Sequence, residues 1–214
     1  MVKAIRLGEI TADKSWSSRL GVCREASSIT QENYLLKKAQ RGNAGQMSLG
    51  RLRDVKRKKK ELLDIGTWQV NTMLKAGKMQ EITDQIVGSQ IQIVALQEIR
   101  WSGYGLLKKD TYSLYYSCNP NTTGQAGTGF VIQKSAMNKI LSFETISDRI
   151  CKLRIKGKCY NITLINIYAL MEDKEEDIKG QFYEELQRTQ DRVPKHDVTI
   201  ILGDMNDKLW GISI

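Results

Sequence analysis

The stretch Val198-Thr199-Ile200-Ile201-Leu202, running into Gly203-Asp204-Met205-Asn206-Asp207, constrains this chain more than any other. Five apolar or β-branched residues leading into a glycine and a polar cluster predict a buried strand that stops where chemistry can begin. Gly203 lets another group approach the backbone closely. Asp204 and Asn206 are two residues apart, so extended backbone projects both to the same side. A carboxylate beside an amide at a strand end can bind a metal ion and orient a phosphate oxygen. An Asp in this position is as often a helix cap or a turn former. What weights the pattern is that similar strand ends recur upstream.

Upstream, Leu62 to Val70 predicts a first strand, Thr72 to Val87 a helix with an apolar stripe, and Ile91 to Glu98 a second core strand ending in a carboxylate. Trp101 to Gly105 reads as a loop, with Trp101 a packing residue. Tyr112–Tyr116 and Gly129–Gln133 read as strands on either side of a turn-rich loop, Asn119 to Gly127. Ile150–Ile155 and Cys159–Tyr168 alternate and are joined by Lys156-Gly157-Lys158, which predicts a hairpin. Glu172 to Asp177 is an acidic helix start, favourable at the positive end of the helix dipole. Pro194 breaks before the last strand. Interleaved strands and helices imply a mixed α/β layered fold.

The formal charge of +9 is unevenly placed. Residues 1–61 hold 15 Lys/Arg against 6 Asp/Glu, so residues 62–214 carry none of the excess. The first segment lacks a sustained apolar period and is rich in Ser, Gln, Arg and Gly, so 1–61 is expected to be a disordered basic arm outside the globular core. Its run Lys56-Arg57-Lys58-Lys59-Lys60 is a solvated linker, a nuclear-import signal or a phosphate-binding patch. Residues 62–214 are expected to form the folded domain. The four cysteines show no CxxC spacing and are read as reduced thiols. No apolar signal segment opens the chain and no run reaches the length of a membrane span, which with the reduced thiols predicts an intracellular protein; the basic run adds the expectation that it is nuclear.

Four strand-end segments line up: Thr67-Trp68-Gln69-Val70-Asn71, Leu96-Gln97-Glu98-Ile99-Arg100-Trp101, Ile165-Asn166-Ile167-Tyr168-Ala169 and Leu202-Gly203-Asp204-Met205-Asn206. Together they resemble the exonuclease–endonuclease–phosphatase superfamily. The closer likeness is to the apurinic-type endonuclease domain of non-LTR retrotransposons and to craniofacial development protein 2-like chains, the latter through Ser147 to Arg154 and Asn161 to Tyr168. The resemblance covers about Leu62 to Asp207. It implies a four-layer α/β sandwich, here a partial one, and cleavage of DNA phosphodiesters with Mg²⁺ or Mn²⁺. It assigns Glu98 to the metal. Tyr168 would contact the scissile phosphate, Asp204 position or deprotonate the attacking water, and Asn206 hold the phosphate or a metal-bound oxygen. Gln69, Asn71 and Arg100 would line the substrate; Lys56–Lys60, outside the resemblance, are expected on the nucleic-acid backbone from their charge alone. A single carboxylate with waters suits Mg²⁺, which keeps much of its hydration shell.

The pattern is departed from in three places. Gln69 stands where family members have Asn, and the extra methylene moves the amide by about an ångström or more, which can misplace a ligand. Asp207 replaces an alanine. The family's later Asp-bearing strand and its Asp-His pair are not found before Ile214, so the domain is expected to be C-terminally incomplete and cleavage weak or absent. His196 is no substitute: it precedes the strand whose far end carries Asp204, about 20 Å or more away. Two further function classes stay open: a non-catalytic nucleic-acid-binding or interaction protein built on the same scaffold, and a lipid or nucleotide phosphatase.

Overall fold

The computed structural model describes residues 3–7 (backbone path only), 63–171 and 173–205. The basic run Lys56–Lys60 and Asn206 lie outside them. In order, the elements are β1 (Lys3–Leu7), β2 (Leu63–Gln69), α1 (Lys78–Ser89), β3 (Ile93–Gln97), β4 (Tyr104–Lys108), β5 (Tyr112–Ser117), β6 (Thr128–Gln133), a 3₁₀ turn (Lys134–Lys139), β7 (Ile140–Thr145), β8 (Ile150–Ile155), β9 (Ile162–Tyr168), α2 (Glu176–Asp191) and β10 (Val198–Asp204).

The strands form two sheets, ordered β1-β2-β3-β6-β5-β4 and β10-β9-β8-β7. Each sheet contains one parallel pair, β2 with β3 and β9 with β10, and each pair is joined through a helix. A parallel neighbour requires such a crossover, whereas the antiparallel pairs need only turns. The crossover helix then covers the outer face of its own sheet. Ile82 and Ile86 of α1 pack with Val94, Leu96 and Val131, and Phe182 and Leu186 of α2 pack with Ile165, Ile167 and Ile201. The inner faces meet through Leu63, Ile65, Ile93, Ala95, Phe130, Ile132, Leu153, Leu164 and Leu202. The result is helix, sheet, sheet, helix, as the α/β expectation required. Because β3 and β9 are covered on both faces, every residue in them is buried.

Several boundaries differ from the sequence reading. The first helix begins at Lys78, not Thr72, because the backbone N–H groups of Thr72 and Met73 donate to the carbonyls of Glu98 and Ile99 (2.8 and 3.0 Å) instead of entering a helix. The second begins at Glu176. β4 and β7 were not anticipated; both are short edge strands without a buried residue. The hairpin is present, with Ile155 opposite Ile162, and its second strand starts three residues later than expected. β1 falls inside the segment assigned to an arm outside the core. Its backbone nevertheless pairs antiparallel with β2, Lys3 opposite Thr67 and Leu7 opposite Leu63, covering the N–H and C=O groups that an edge strand leaves open.

Candidate active site at the sheet ends

Strand alternation decides which side chains face the seam between the sheets. In β2, Leu63 and Ile65 lie on the inner face, so Thr67 and Gln69 share it; in β3, Ile93 and Ala95 bring Gln97 with them. In β9, Ile162 and Leu164 set the parity for Asn166 and Tyr168. The parallel pairs end together, so these polar residues gather at one end of the sandwich.

Two of them cross the seam. Gln97 donates to the side-chain carbonyl of Asn166 (2.7 Å), and the Asn166 amide donates to the backbone carbonyls of Leu96 and Gly129 (both 2.9 Å). Thr67 completes the chain by donating to Gln97 (3.2 Å). Gln97 and Asn166 are fully buried, and such groups are kept only where partners satisfy them.

Glu98 follows directly. Continued alternation would send its side chain to the α1 side with Val94 and Leu96. Instead its φ is +61°, a left-handed conformation that ends the strand and turns the carboxylate into the seam. Asn71 (+53°), Thr72 (+106°) and Arg100 (+62°) share this unusual backbone region. Non-glycine residues there cost about 1–2 kcal/mol each, and strain of this kind collects at functional sites. The segment is held from both sides: Ile99 and Arg100 donate to the carbonyls of Gly127 and Ala126, opposite the contacts from Thr72 and Met73.

Once turned inward, the Glu98 carboxylate accepts three hydrogen bonds. Oε1 takes the Gln69 amide (2.6 Å) and the Tyr168 hydroxyl (2.7 Å), and Oε2 takes Arg100 Nη2 (2.8 Å). Burial alone would raise its pKa. The bonds from Tyr168, Gln69 and Arg100 and the Arg100 charge outweigh that, and the carboxyl is held below its ordinary value. Tyr168 moves the other way. Burial, the bond to Glu98 and the charges of Glu98 and Asp204 push its phenol up to about 12, with Arg149 opposing. At neutral pH it is therefore a hydrogen-bond donor.

Asp204 is the register partner of Tyr168, and its backbone carbonyl accepts from Ala169 N–H (2.8 Å). Gly203 has φ +129°, and a Cβ there would stand 1.9 Å from the Ile167 carbonyl. The close approach expected at this glycine is that of the neighbouring strand, and it brings Asp204 level with Tyr168. Glu98, Tyr168, Gln69 and Arg100 are thus joined by hydrogen bonds, with Asp204 alongside. Asn71 is exposed on the turn after β2. His196 is exposed in the turn before β10. Trp101 packs edge-on against Tyr116 (5.2 Å) and donates to Met73 O (3.1 Å).

Three contributors escaped sequence reasoning. Gln97 and Asn166 left a signal, single amides inside apolar runs at the same parity as the inner core. Arg149 left none. It contacts Tyr168 three ways: its guanidinium lies 5.0 Å from the ring centroid, its Nη1 donates to Tyr168 O (3.3 Å), and its own carbonyl accepts from Tyr168 N–H (2.9 Å). The two buried thiols, Cys118 and Cys151, offer no alternative nucleophile. Cys118, Cys151 and Cys159 are free, and burial pushes Cys118 up to about 11 and Cys151 up to about 12, far from a reactive thiolate.

The donor set bears on a divalent cation. Among the described residues no three His, Cys, Asp or Glu side chains come together. A carboxylate offers about four lone-pair positions; two on Oε1 are taken, and Oε2 has a single partner. One carboxylate oxygen with an open position fits Mg²⁺ or Mn²⁺, which are commonly held by one or two carboxylates and water.

Comparison with known proteins follows these lines. The chain is 34% identical over 155 residues to craniofacial development protein 2 of Bos taurus, a match covering 72% of this chain and 26% of that protein. The same protein of Tragulus javanicus matches at 34% over 155 residues, 27% of its length. The chain therefore spans about a quarter of these relatives. Among solved structures, the catalytic domain of Xenopus laevis APE2 superposes with a TM-score of 0.53 at 17% identity, covering 66% of this chain and 58% of that one. Residues 67–214 match the Endonuclease/Exonuclease/phosphatase family. That span contains every strand-end residue just described, and the chain belongs to this family.

Proposed function

We propose that this domain hydrolyses DNA phosphodiesters with a divalent cation at the end of the sandwich where β3, β9 and β10 finish. The observation that carries the reading is the 2.7 Å hydrogen bond between Tyr168 and Glu98, which joins the two sheets at their polar end. In this reading Glu98 Oε2 holds Mg²⁺ or Mn²⁺. Bound there, the ion supplies positive charge against the charge developing on the phosphate. Asp204 orients the attacking water and accepts its proton. Tyr168, kept protonated, turns its single O–H from Glu98 to a phosphate oxygen when substrate is bound. Asn206 holds the phosphate, and Gln69, Asn71 and Arg100 line the substrate. Lys56–Lys60 follow the DNA backbone, giving a salt-dependent affinity without sequence preference, and serve as the import signal of a nuclear protein.

Turnover is expected to be slow, because the carboxylate offered to the cation already serves Gln69, Tyr168 and Arg100. The same competition for the carboxylate favours a second reading, a nucleic-acid-binding protein that uses the scaffold without cleaving. Nicking of supercoiled plasmid and of an abasic duplex separates the two, with Mg²⁺ present or chelated and a phosphoinositide as control. Slow Mg²⁺-dependent nicking that vanishes in Asp204→Ala supports the first reading. DNA binding that weakens steeply with salt, without nicking, supports the second. Phosphate release from the phosphoinositide alone would overturn both.

A further inference from the structure

We propose that Arg100 couples cation binding to phosphate binding, holding Glu98 Oε2 in the free protein and leaving it for a phosphate when substrate arrives. The inference rests on the reading that Glu98 seats the cation.

The geometry of the pair supports it. Arg100 gives Glu98 one N–H, from Nη2 at 2.8 Å. A guanidinium fork matches both oxygens of a carboxylate when they are free. Here Oε1 is occupied by Gln69 and Tyr168, so half of the fork is unused. A phosphate offers two oxygens and restores the bidentate contact that Glu98 denies. The side chain also has room to leave: that of Arg100 is 40% exposed, against 7% for Glu98. Its backbone does not. Arg100 N–H donates to Ala126 O (2.8 Å), Arg100 O accepts from Gly124 N–H (2.9 Å), and φ stays left-handed at +62°. The movement is therefore confined to the side chain, pivoting about a fixed Cα.

The consequence follows from charge. A cation at Oε2 and the guanidinium at Oε2 repel each other, so each disfavours the other. Whatever draws Arg100 away raises cation affinity, and by linkage the cation raises affinity for whatever draws Arg100 away by the same factor. An Arg two residues after the metal-holding Glu thus makes the site bind its two ligands together rather than either alone.

The test uses the full chain. Mn²⁺ alone is titrated and unbound ion read by electron paramagnetic resonance. Separately, a fluorescein-labelled duplex with phosphorothioate linkages, which resist hydrolysis, is titrated by anisotropy with and without Mn²⁺ at constant ionic strength. For the unsubstituted chain, Mn²⁺ should tighten duplex binding by about fivefold or more, within the usual range for coupled sites. Arg100→Gln should bind Mn²⁺ alone about tenfold more tightly and show less than about twofold coupling. Arg100→Lys, which keeps the charge, should bind Mn²⁺ like the unsubstituted chain. Equal or weaker Mn²⁺ binding by Arg100→Gln overturns the proposal, as does Arg100→Lys behaving like Arg100→Gln. Glu98→Gln separates this from failure of the underlying reading: if it keeps full Mn²⁺ affinity, Glu98 is not the seat of the cation.

Discussion

Glu98 and Asp197 are both carboxylates with almost no exposed side-chain surface, 7% and 2%, and both accept three hydrogen bonds, at least one from an arginine. They stand at opposite ends of the sandwich. Asp197 lies just before β10 and takes a fork from Arg154, Nε at 2.6 Å and Nη2 at 2.9 Å, with the Thr163 hydroxyl at 2.8 Å. Arg154 and Thr163 sit in ordinary strands, β8 and β9, opposite each other in register. Glu98 takes a single N–H from an arginine on left-handed backbone, and its other bonds come from an amide and a phenol on separate sheets. The Asp197 arrangement fastens the end of β8 to the starts of β9 and β10. The Glu98 arrangement holds a carboxylate where one of its oxygens can change partner. Two buried anions with equal numbers of bonds therefore do different work, and the difference lies in how the arginine is spent and in what backbone carries it.

The comparison can be broken at either end. The largest effect expected is on catalysis: Glu98→Gln should lower Mg²⁺-dependent nicking by about 10² to 10³-fold, as loss of one electrostatic element commonly does, whereas Asp197→Asn should leave the rate per folded molecule unchanged. Plasmid nicking normalised to the folded fraction checks both, and a comparable loss in Asp197→Asn would erase the distinction. Next is the support beneath the site. Asn166→Leu removes the partner of Gln97 and of the Leu96 and Gly129 carbonyls, and should cost about 2–4 kcal/mol in urea unfolding, since buried unpaired groups cost about 1–3 kcal/mol each. A cost below about 0.5 kcal/mol would mean that the bonds across the seam are replaceable.

The smallest effect is on acid sensitivity. Both carboxyls are held below their ordinary values, Asp197 chiefly by the hydrogen bond from Arg154 and Glu98 by its three donors against the effect of burial. A group whose folded pKa is depressed contributes stability above its unfolded pKa and loses it as pH falls through the folded one. Stability should therefore begin to drop near the ordinary carboxylate value, about pH 4, and continue to fall below it. Each amide substitution should flatten part of that slope. Equal slopes in Glu98→Gln, Asp197→Asn and the parent would show that neither group is coupled to folding.

The layered fold was legible in the chain because long apolar strands alternate with amphipathic segments, and apolar burial selects few ways of stacking such elements. The clustering of strand ends was legible for the same reason: parallel strands joined by helices finish on one side. The inward turn of Glu98 was not. Strand periodicity assigns it to the wrong face, and no residue-type preference announces a glutamate at positive φ. Gln69 was read as a misfit for its extra methylene, yet that length places its amide 2.6 Å from Glu98. Edge strands β4 and β7 escaped because neither buries a residue, and β1 because its five residues sit in a segment whose overall composition argues against a core. Arg149 escaped because its contacts depend on a turn meeting another strand.

The bond between Gln97 and Asn166 has a mechanical consequence. Apolar contacts are individually weak and non-directional, so interdigitated layers resist sliding but keep some freedom of small relative displacement. A directional bond pinned at both ends removes that freedom, like a dowel through two boards. It lies one residue from Glu98 on one sheet and two from Tyr168 on the other. Thermal slippage between the sheets should thus be smallest at the polar end and grow toward the turns that precede β3 and β9. Tolerance in the placement of groups that must meet across the seam is set by this joint, not by the stiffness of either sheet.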